Sequence, residues 1–189
     1  MQFYDVVENR KSIKKFKTNT LDKDKINRMI NAAMMSPSWK NQTCYKFILV
    51  DDDNKKQSIA NAIMNNTNEA TQSVMDAPMT AVVVAEPDAS GAMEGKEYYL
   101  VDSAIAMEHF VLAATQEGYG TCWIASFDER KIKDILSIPD HFRVVALTPV
   151  GEIAAEKPKN PPKDVREYVF LNEWNRVFAD QDTKIIIHH

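Results

Sequence analysis

The chain has 189 residues, 44% of them apolar and 26% charged, which is enough for one full hydrophobic core and short for two. The 27 acidic residues outnumber the 23 basic ones, so the net charge of −4 argues against a nucleic-acid partner, and any anion site must be local. Two cysteines, Cys44 and Cys122, are too few for a disulfide framework or a zinc cluster, and no apolar signal segment follows Met1, so we expect a cytoplasmic protein.

The glycines exclude the common nucleotide-binding motifs. The five are Gly91, Gly95, Gly118, Gly120 and Gly151, and their spacing fits neither GxGxxG nor GxxxxGK[ST]. The sequence also lacks HExxH, GxSxG and paired CxxC motifs. The missing motifs therefore argue against a Rossmann fold, a P-loop, a zinc protease, a serine hydrolase and a zinc ribbon.

The chain begins with a predicted amphipathic helix, marked by Phe3, Val6 and Val7, that leads into a basic segment. This segment, residues 10–16 (RKSIKKF), places four cations and a hydroxyl within seven residues. Arginine offers a planar fork, lysine a point charge and serine a neutral donor, and a phosphomonoester can accept from all three. The alternative is a solvated basic loop.

A helix capped by Asp22 is predicted next, and it ends before Pro37. Residues 37–45 (PSWKNQTCY) then lack periodicity and are crowded with hydrogen-bonding side chains, which indicates a binding loop or an ordinary loop anchored by its tryptophan. The elements predicted after it are a strand over 46–50, helices near 59–64 and 71–76, and a strand over 79–85 that is buried on both faces.

The most apolar element is a helix predicted to begin near Tyr98. Only two residues of 104–114 are strongly polar, so several elements must cover this helix, and we expect a second copy of the chain among them. An ordinary core helix is the alternative. Its polar residues exclude a membrane span, which needs about 20 uninterrupted apolar residues. Gly118 suits the left-handed position after a helix, and Gly120 allows close approach of the backbone.

The C-terminal part contains a helix capped by Asp128, a strand over 142–148 and a long tail. The tail begins with a proline-rich basic stretch, residues 157–163, which we predict to be extended. Many large apolar side chains follow, so the tail should lie on its own domain or on a partner's. We predict one domain over residues 1–180 and a terminal tail over 181–189, in which His188 and His189 resemble the remnant of a purification tag.

Four stretches together resemble one family, the FMN-dependent nitroreductases. Residues 10–16 resemble its opening R-x-S-x-[RK] motif, and residues 37–41 (PSWKN) are similar to its P-S-x-x-N motif. Residues 118–124 (GYGTCWI) resemble its G-L-G-T-C-W-I stretch, and Lys157-x-Lys159 resembles its late basic pair, usually K-x-R. The four stretches run from one end of the chain to the other in the family's order.

The resemblance implies an α+β fold, a nitroreductase-like α/β/α sandwich with a mixed, mostly antiparallel central sheet, in an intertwined homodimer with FMN at the subunit interface. The implied phosphate ligands are Arg10, Ser12, Lys157 and Lys159, supported by Lys11, while Lys14 would reach the ribityl chain or the pyrimidine edge. The residues implied to come from the other subunit are Pro37, Ser38, Trp39 and Asn41. The residues implied to run beside the isoalloxazine are Trp123, Ile124, Ala125 and Ser126.

The sequence departs from the family pattern in two places. Asn41 is followed by Gln42-Thr43-Cys44-Tyr45, where the family usually continues N-x-Q-P-W. Lys159 stands where arginine is common, which keeps the charge but loses the bidentate fork.

The resemblance implies a reductase that transfers hydride from NAD(P)H through FMN to a small electron-poor acceptor, such as a nitroaromatic or a quinone. The donor and the acceptor would occupy the same site in turn. Because the cofactor carries the chemistry, no catalytic side chain and no metal are expected. Trp39 and Tyr45 either stack on acceptors or serve the core. Two alternatives stay open: a specialised flavin enzyme of the same fold, such as a reductive dehalogenase or a flavin-fragmenting enzyme, and a non-catalytic FMN-binding protein.

Overall fold

The structure is a computed structural model, and it describes residues 1–156, 158 and 163–178. The chain divides into two units, Met1–Lys157 and Pro158–His189. The helices of the first unit are α1 (Phe3–Asn9), α2 (Lys23–Met34), α3 (Asp53–Ala60), α4 (Glu69–Asp76), α5 (Tyr98–Gln116) and α6 (Glu129–Leu136). Its strands are β1 (Lys15–Phe16), β2 (Tyr45–Val50), β3 (Met79–Ala85), β4 (Ala92–Met93), β5 (Lys96–Glu97), β6 (Tyr119–Thr121) and β7 (Arg143–Ala155). Short 3₁₀ turns cover Trp39–Asn41 and Pro87–Ala89.

Five strands form the central sheet in the order β1-β7-β3-β2, with β6 also paired to β7. These strand pairs are antiparallel, and a parallel contact occurs at the isolated bridge between Ser12 and Thr121. The strands β4 and β5, which lie between β3 and α5 in the chain, form a separate two-stranded sheet. The predicted α+β fold with a mostly antiparallel sheet is confirmed, while the homodimer stays a prediction.

The strand β3 separates two apolar cores, because alternate residues of a strand point to opposite faces. Ala81, Val83 and Ala85 join the core formed with α2 and α5. Val82 and Val84 join the core formed with α3, α4 and α6. Helices therefore cover both faces of the sheet, and the prediction that residues 79–85 are buried on both faces is confirmed.

The strand β7 is longer than predicted, since it continues beyond Thr148 to Ala155. Its pairing partner changes near Pro149: β3 pairs with it as far as Val150, and β6 and β1 pair with the residues that follow. Gly151 permits this crowded packing, because a Cβ there would lie 2.7 Å from Cδ of Pro78. The added length depends on distant strands, and a local pattern does not contain it.

The predicted helix caps are confirmed at Asp22 and Asp128, whose carboxylates accept hydrogen bonds from backbone amides of the first helical turn. The helix predicted near residues 59–64 was placed too late. The Asp52 carboxylate accepts from the amide of Lys55 at 2.8 Å, so α3 begins at Asp53. Ile63 lies beyond its end and forms a bridge with Phe127. The helix α4 likewise begins two residues earlier than predicted.

The helix α5 is covered by its own chain along one side only. Ala106, Met107 and Phe110 are fully buried in the core that α5 shares with α2. Leu100 and Val101, near its N-terminal end, remain 43% and 49% exposed. In the described part of the chain, no helix is both long enough and apolar enough to cross a bilayer.

The second unit contains α7 (Val165–Tyr168), capped by the Asp164 carboxylate, and a bridge between Phe170 and Val177. The Trp174 ring packs on Phe170, with ring centroids 5.0 Å apart. The predicted extended stretch lies mostly outside the described residues. The prediction of one domain over residues 1–180 stays a prediction.

Candidate functional site

Two of the predicted motifs, distant in sequence, lie side by side in the structure. The Ile13 amide donates to the Thr121 carbonyl at 2.8 Å, and Ser12 forms a parallel bridge with the same residue. Gly120 makes this approach possible, because a Cβ there would lie 2.7 Å from both Cβ and Cγ1 of Ile13. Gly118 ends α5 in the left-handed conformation, with φ of +83°, as predicted. The basic segment is thereby fixed against the residues that follow α5.

Three side chains of this segment, those of Arg10, Ser12 and Lys14, influence the thiol of Cys122. Burial raises the pKa of Cys122, while the charge of Lys14, a hydrogen bond with Ser12 and the charge of Arg10 oppose this rise. The carboxylate of Glu69 acts in the same direction as burial. Arg10, Ser12 and Lys14 therefore all lie near the Cys122 thiol, together with the Glu69 carboxylate.

Acidic residues that the sequence analysis missed hold two of these lysines. Lys14 Nζ lies 2.6 Å from a carboxylate oxygen of Glu69, at the start of α4, and Lys11 pairs with Glu156, just after β7. No local pattern points to either carboxylate, because each comes from a distant element. Within the described part of the chain, the Arg10 guanidinium has no ion-pair partner, so its planar fork is available to an external anion.

The segment after β6 is anchored by one residue and leaves its neighbours accessible. Ile124 is 2% exposed, and its backbone exchanges two 2.9 Å hydrogen bonds with Leu147 of β7. Trp123, Ala125 and Ser126 are exposed, and the Ser126 hydroxyl donates to the Met64 carbonyl at 3.2 Å. The side chain of Ile124 thus belongs to the core, while its three neighbours form a surface next to the basic segment.

The PSWKN motif lies elsewhere in the same chain. The Trp39 ring stacks on Tyr98, with centroids 4.0 Å apart, and the Trp39 amide donates to Asp102 at 2.8 Å. Both partners lie at the N-terminal end of α5, whereas Thr121 follows its C-terminal end. The 19 residues of α5 span roughly 28 Å at 1.5 Å per residue. One chain therefore does not bring Pro37, Ser38, Trp39 and Asn41 to the basic segment.

Of the two roles considered for Tyr45, stacking on an acceptor or packing in the core, the structure shows the core role. It is 3% exposed, and its hydroxyl lies 2.7 Å from the Ser36 hydroxyl and donates to the Ala33 carbonyl at 3.2 Å. Trp39 is half-buried against Tyr98.

A groove of about 850 Å³ opens near the start of α2, away from all the predicted site residues. Its Lys56 is engaged by Asp53 at 2.9 Å and by the Ala77 carbonyl at 2.7 Å. The convergent cations and the nearby exposed surface make the Cys122 region the better candidate, despite the size of this groove. Lys157 and Lys159 lie outside the described residues. Among the residues that are described, no group of three or more His, Cys, Asp or Glu side chains could hold a metal ion.

Comparisons with known proteins identify the family of the chain. The family model for the nitroreductase family matches residues 7–152. A nitroreductase family protein from Clostridium novyi NT, of known crystal structure, is 55% identical, with a TM-score of 0.80 over 94% of this chain and 97% of that chain.

Two further proteins are more distant. The chain is 27% identical to an NADPH-dependent oxidoreductase of Staphylococcus aureus (strain USA300), in an alignment that covers 96% of this chain and 76% of the relative. The structure of an FMN-dependent nitroreductase from Clostridium difficile R20291 shares the fold, with a TM-score of 0.78 at 24% identity over 89% of this chain and 98% of that chain. The motifs, the sheet and the match over residues 7–152 lead to one conclusion: the chain belongs to the nitroreductase family.

Proposed function

We propose that this protein is an FMN-dependent oxidoreductase that transfers hydride from NAD(P)H to nitroaromatics, quinones or similar electron-poor acceptors. The observation that carries the proposal is the convergence of Arg10, Ser12 and Lys14 beside the exposed residues that follow β6. The family supports it, as do the activities in the names of the S. aureus and C. difficile proteins.

The residues present fit the phosphate end of FMN. The Arg10 fork and the Ser12 hydroxyl supply directional donors that a terminal phosphate can accept, and we assign Lys157 and Lys159 to the same phosphate. Lys11 pairs with Glu156, and we assign it a supporting role beside these phosphate ligands. FMN fits better than FAD, because the chain has no glycine-rich turn for a pyrophosphate.

The residues after β6 fit the ring end. Trp123 and Ala125 offer apolar surface and Ser126 a hydroxyl, while the backbone of Ile124 fixes the segment to the sheet. Lys14, which is paired with Glu69, is assigned to the ribityl chain or the pyrimidine edge of the ring. When bound, FMN supplies the two-electron chemistry between NAD(P)H and the acceptor. The side chains of this protein hold and orient the FMN, and we assign no catalytic side chain and no metal.

The site requires two chains in this proposal. Pro37, Ser38, Trp39 and Asn41 come from the second subunit of a homodimer, since α5 separates them from the basic segment of their own chain. The exposed side of α5, with Leu100 and Val101, gives a second copy an apolar surface to cover.

The testing experiment begins with the purified protein and its visible spectrum. We expect a yellow protein that releases FMN on denaturation, oxidises NAD(P)H steadily with a nitroaromatic or quinone, and gives parallel double-reciprocal lines. Colourless protein that does not bind added FMN would refute the proposal. Bound FMN without NAD(P)H turnover would instead indicate a binding protein, and turnover confined to a halogenated substrate or to flavin itself would indicate a specialised enzyme.

A further inference from the structure

Asp102, in the second turn of α5, is a buried carboxylate that binds three residues from two other segments of the chain. It is 3% exposed and accepts from the Trp39 amide at 2.8 Å, from the Ser90 hydroxyl at 3.1 Å and from the Cys44 thiol at 3.5 Å. Burial, with the hydrogen bond to Asp102, raises the pKa of Cys44 to about 11, so the thiol stays protonated and donates. No cation pairs with Asp102 in the described ranges. Hydrogen bonds from such donors offset the cost of burying a carboxylate.

The loop held by this carboxylate has an unfavourable backbone. Lys40, Asn41 and Thr43 have φ of 48°, 58° and 49°, in the left-handed region that favours glycine. Thr43 is β-branched, which makes this conformation rarer still. Such conformations persist only where the surroundings determine them, and they gather at ligand-binding segments.

The side chain of Trp39 is fixed as firmly as its amide. One face of the indole stacks on the Tyr98 ring at an interplanar angle of 4°. The indole also lies against Gly91, where a Cβ would come within 2.7 Å of Nε1. Gly91, between β3 and α5, and Tyr98, the first residue of α5, therefore both pack on the Trp39 ring.

We propose that Asp102 is a positioning residue, which locks residues 38–44 in the conformation that they present to the FMN site of the second subunit. This inference rests on the proposed function, because it needs the loop to complete a flavin site. Asp102 itself lies at the opposite end of α5 from Arg10 and acts only through the loop that it holds.

The first test is titration of full-length apo-protein with FMN for Asp102→Ala and Asp102→Asn. The alanine variant leaves the buried Trp39 amide unsatisfied, so FMN affinity should fall about tenfold or more. The asparagine variant keeps an oxygen for that amide and should recover much of the affinity. Asp134→Asn, at an exposed position on α6, is the matched control and should bind as wild type. Ser90→Ala, which removes one donor and leaves the carboxylate in place, gives a weaker loss and serves if the alanine variant does not fold.

The second test separates positioning from general damage by mixing subunits. Arg10→Ala and Asp102→Ala chains are co-expressed with different tags, and the mixed dimer is isolated. If the loop acts across the interface, one site of the mixed dimer combines both defects and the other combines two intact halves. We expect one FMN to bind per mixed dimer at wild-type affinity. A subunit damaged throughout by Asp102→Ala would restore no such site.

The outcomes are distinguishable from failure of the proposed function. Wild-type protein that binds no FMN refutes the function itself. Wild-type binding together with unchanged affinity in folded Asp102→Ala refutes the positioning role alone. A mixed dimer without a wild-type site, or a monomer that binds FMN fully, refutes the action across the interface.

Discussion

Gly120→Ala tests the contact that brings the two motifs together. The new Cβ would lie 2.7 Å from Cβ and Cγ1 of Ile13 and 2.8 Å from Cγ2, all well inside van der Waals contact. Ile13 is 2% exposed and has no room to move away. Overpacking of this kind destabilises by about 1–3 kcal/mol. At about 2–4 °C per kcal/mol for a chain of this size, the melting temperature should fall by roughly 2–12 °C.

The same substitution should weaken FMN binding in the proposed site, because displacement of Ile13 shifts Ser12 and Lys14. Melting would be followed by circular dichroism on apo-protein, and FMN affinity by titration. A double-mutant cycle identifies the contact: Gly120→Ala should cost less in an Ile13→Ala background, which lacks Cγ1 and Cγ2. Ile13→Val keeps all three contacting atoms, so it should give no relief. Equal melting temperatures for wild type and Gly120→Ala would refute the reasoning.

Three further predictions follow from other parts of the structure. Arg10→Ala should weaken FMN binding about ten- to a hundredfold, because a charge-assisted hydrogen bond contributes roughly 1.5–3 kcal/mol; titration equal to wild type would assign Arg10 to a solvated surface. Val101→Glu places a charge on the exposed side of α5 and should give a folded monomer with reduced FMN, measured by sedimentation followed by flavin absorbance. Ala106 is buried in the chain's own core, so Ala106→Glu should unfold the chain instead. A Val101→Glu dimer with full FMN would contradict the proposal that a second copy covers this side of α5. Burial opposes ionisation of Glu129, but its hydrogen bonds with Arg143 lower its pKa below 4.5, so its stabilising effect is present above that pH and is lost on acidification. The difference in melting temperature between wild type and Glu129→Gln should therefore shrink below about pH 4.5, and a difference independent of pH would contradict it.

The local signals in the sequence were sufficient where neighbouring residues decide the structure. Asp22 and Asp128 cap their helices because a carboxylate reaches amides only two or three residues away. The strand β3 could be predicted to the residue, since seven apolar or small residues follow a proline that stops the preceding helix. The motifs around Arg10 and Gly118 could be recognised for the same reason, and the family match confirms the assignment that they supported.

The structural features that the sequence did not predict depend on contacts between residues distant in the chain. β7 extends to Ala155 only because β6 and β1 supply partners beyond Pro149. Glu69 meets Lys14 because α4 packs beside the basic segment, and a carboxylate at a helix start carries no sign of such a partner.

The sequence by itself therefore determined the family, the helix caps, the central strand and the residue types suited to a phosphate. The tertiary structure decided which of those residues meet. It placed Ser12 against Thr121 at one end of α5 and Trp39 against Asp102 at the other, roughly 28 Å away along the helix. That separation follows from the packing of α5 between the two motifs, and packing is a property of the folded chain as a whole.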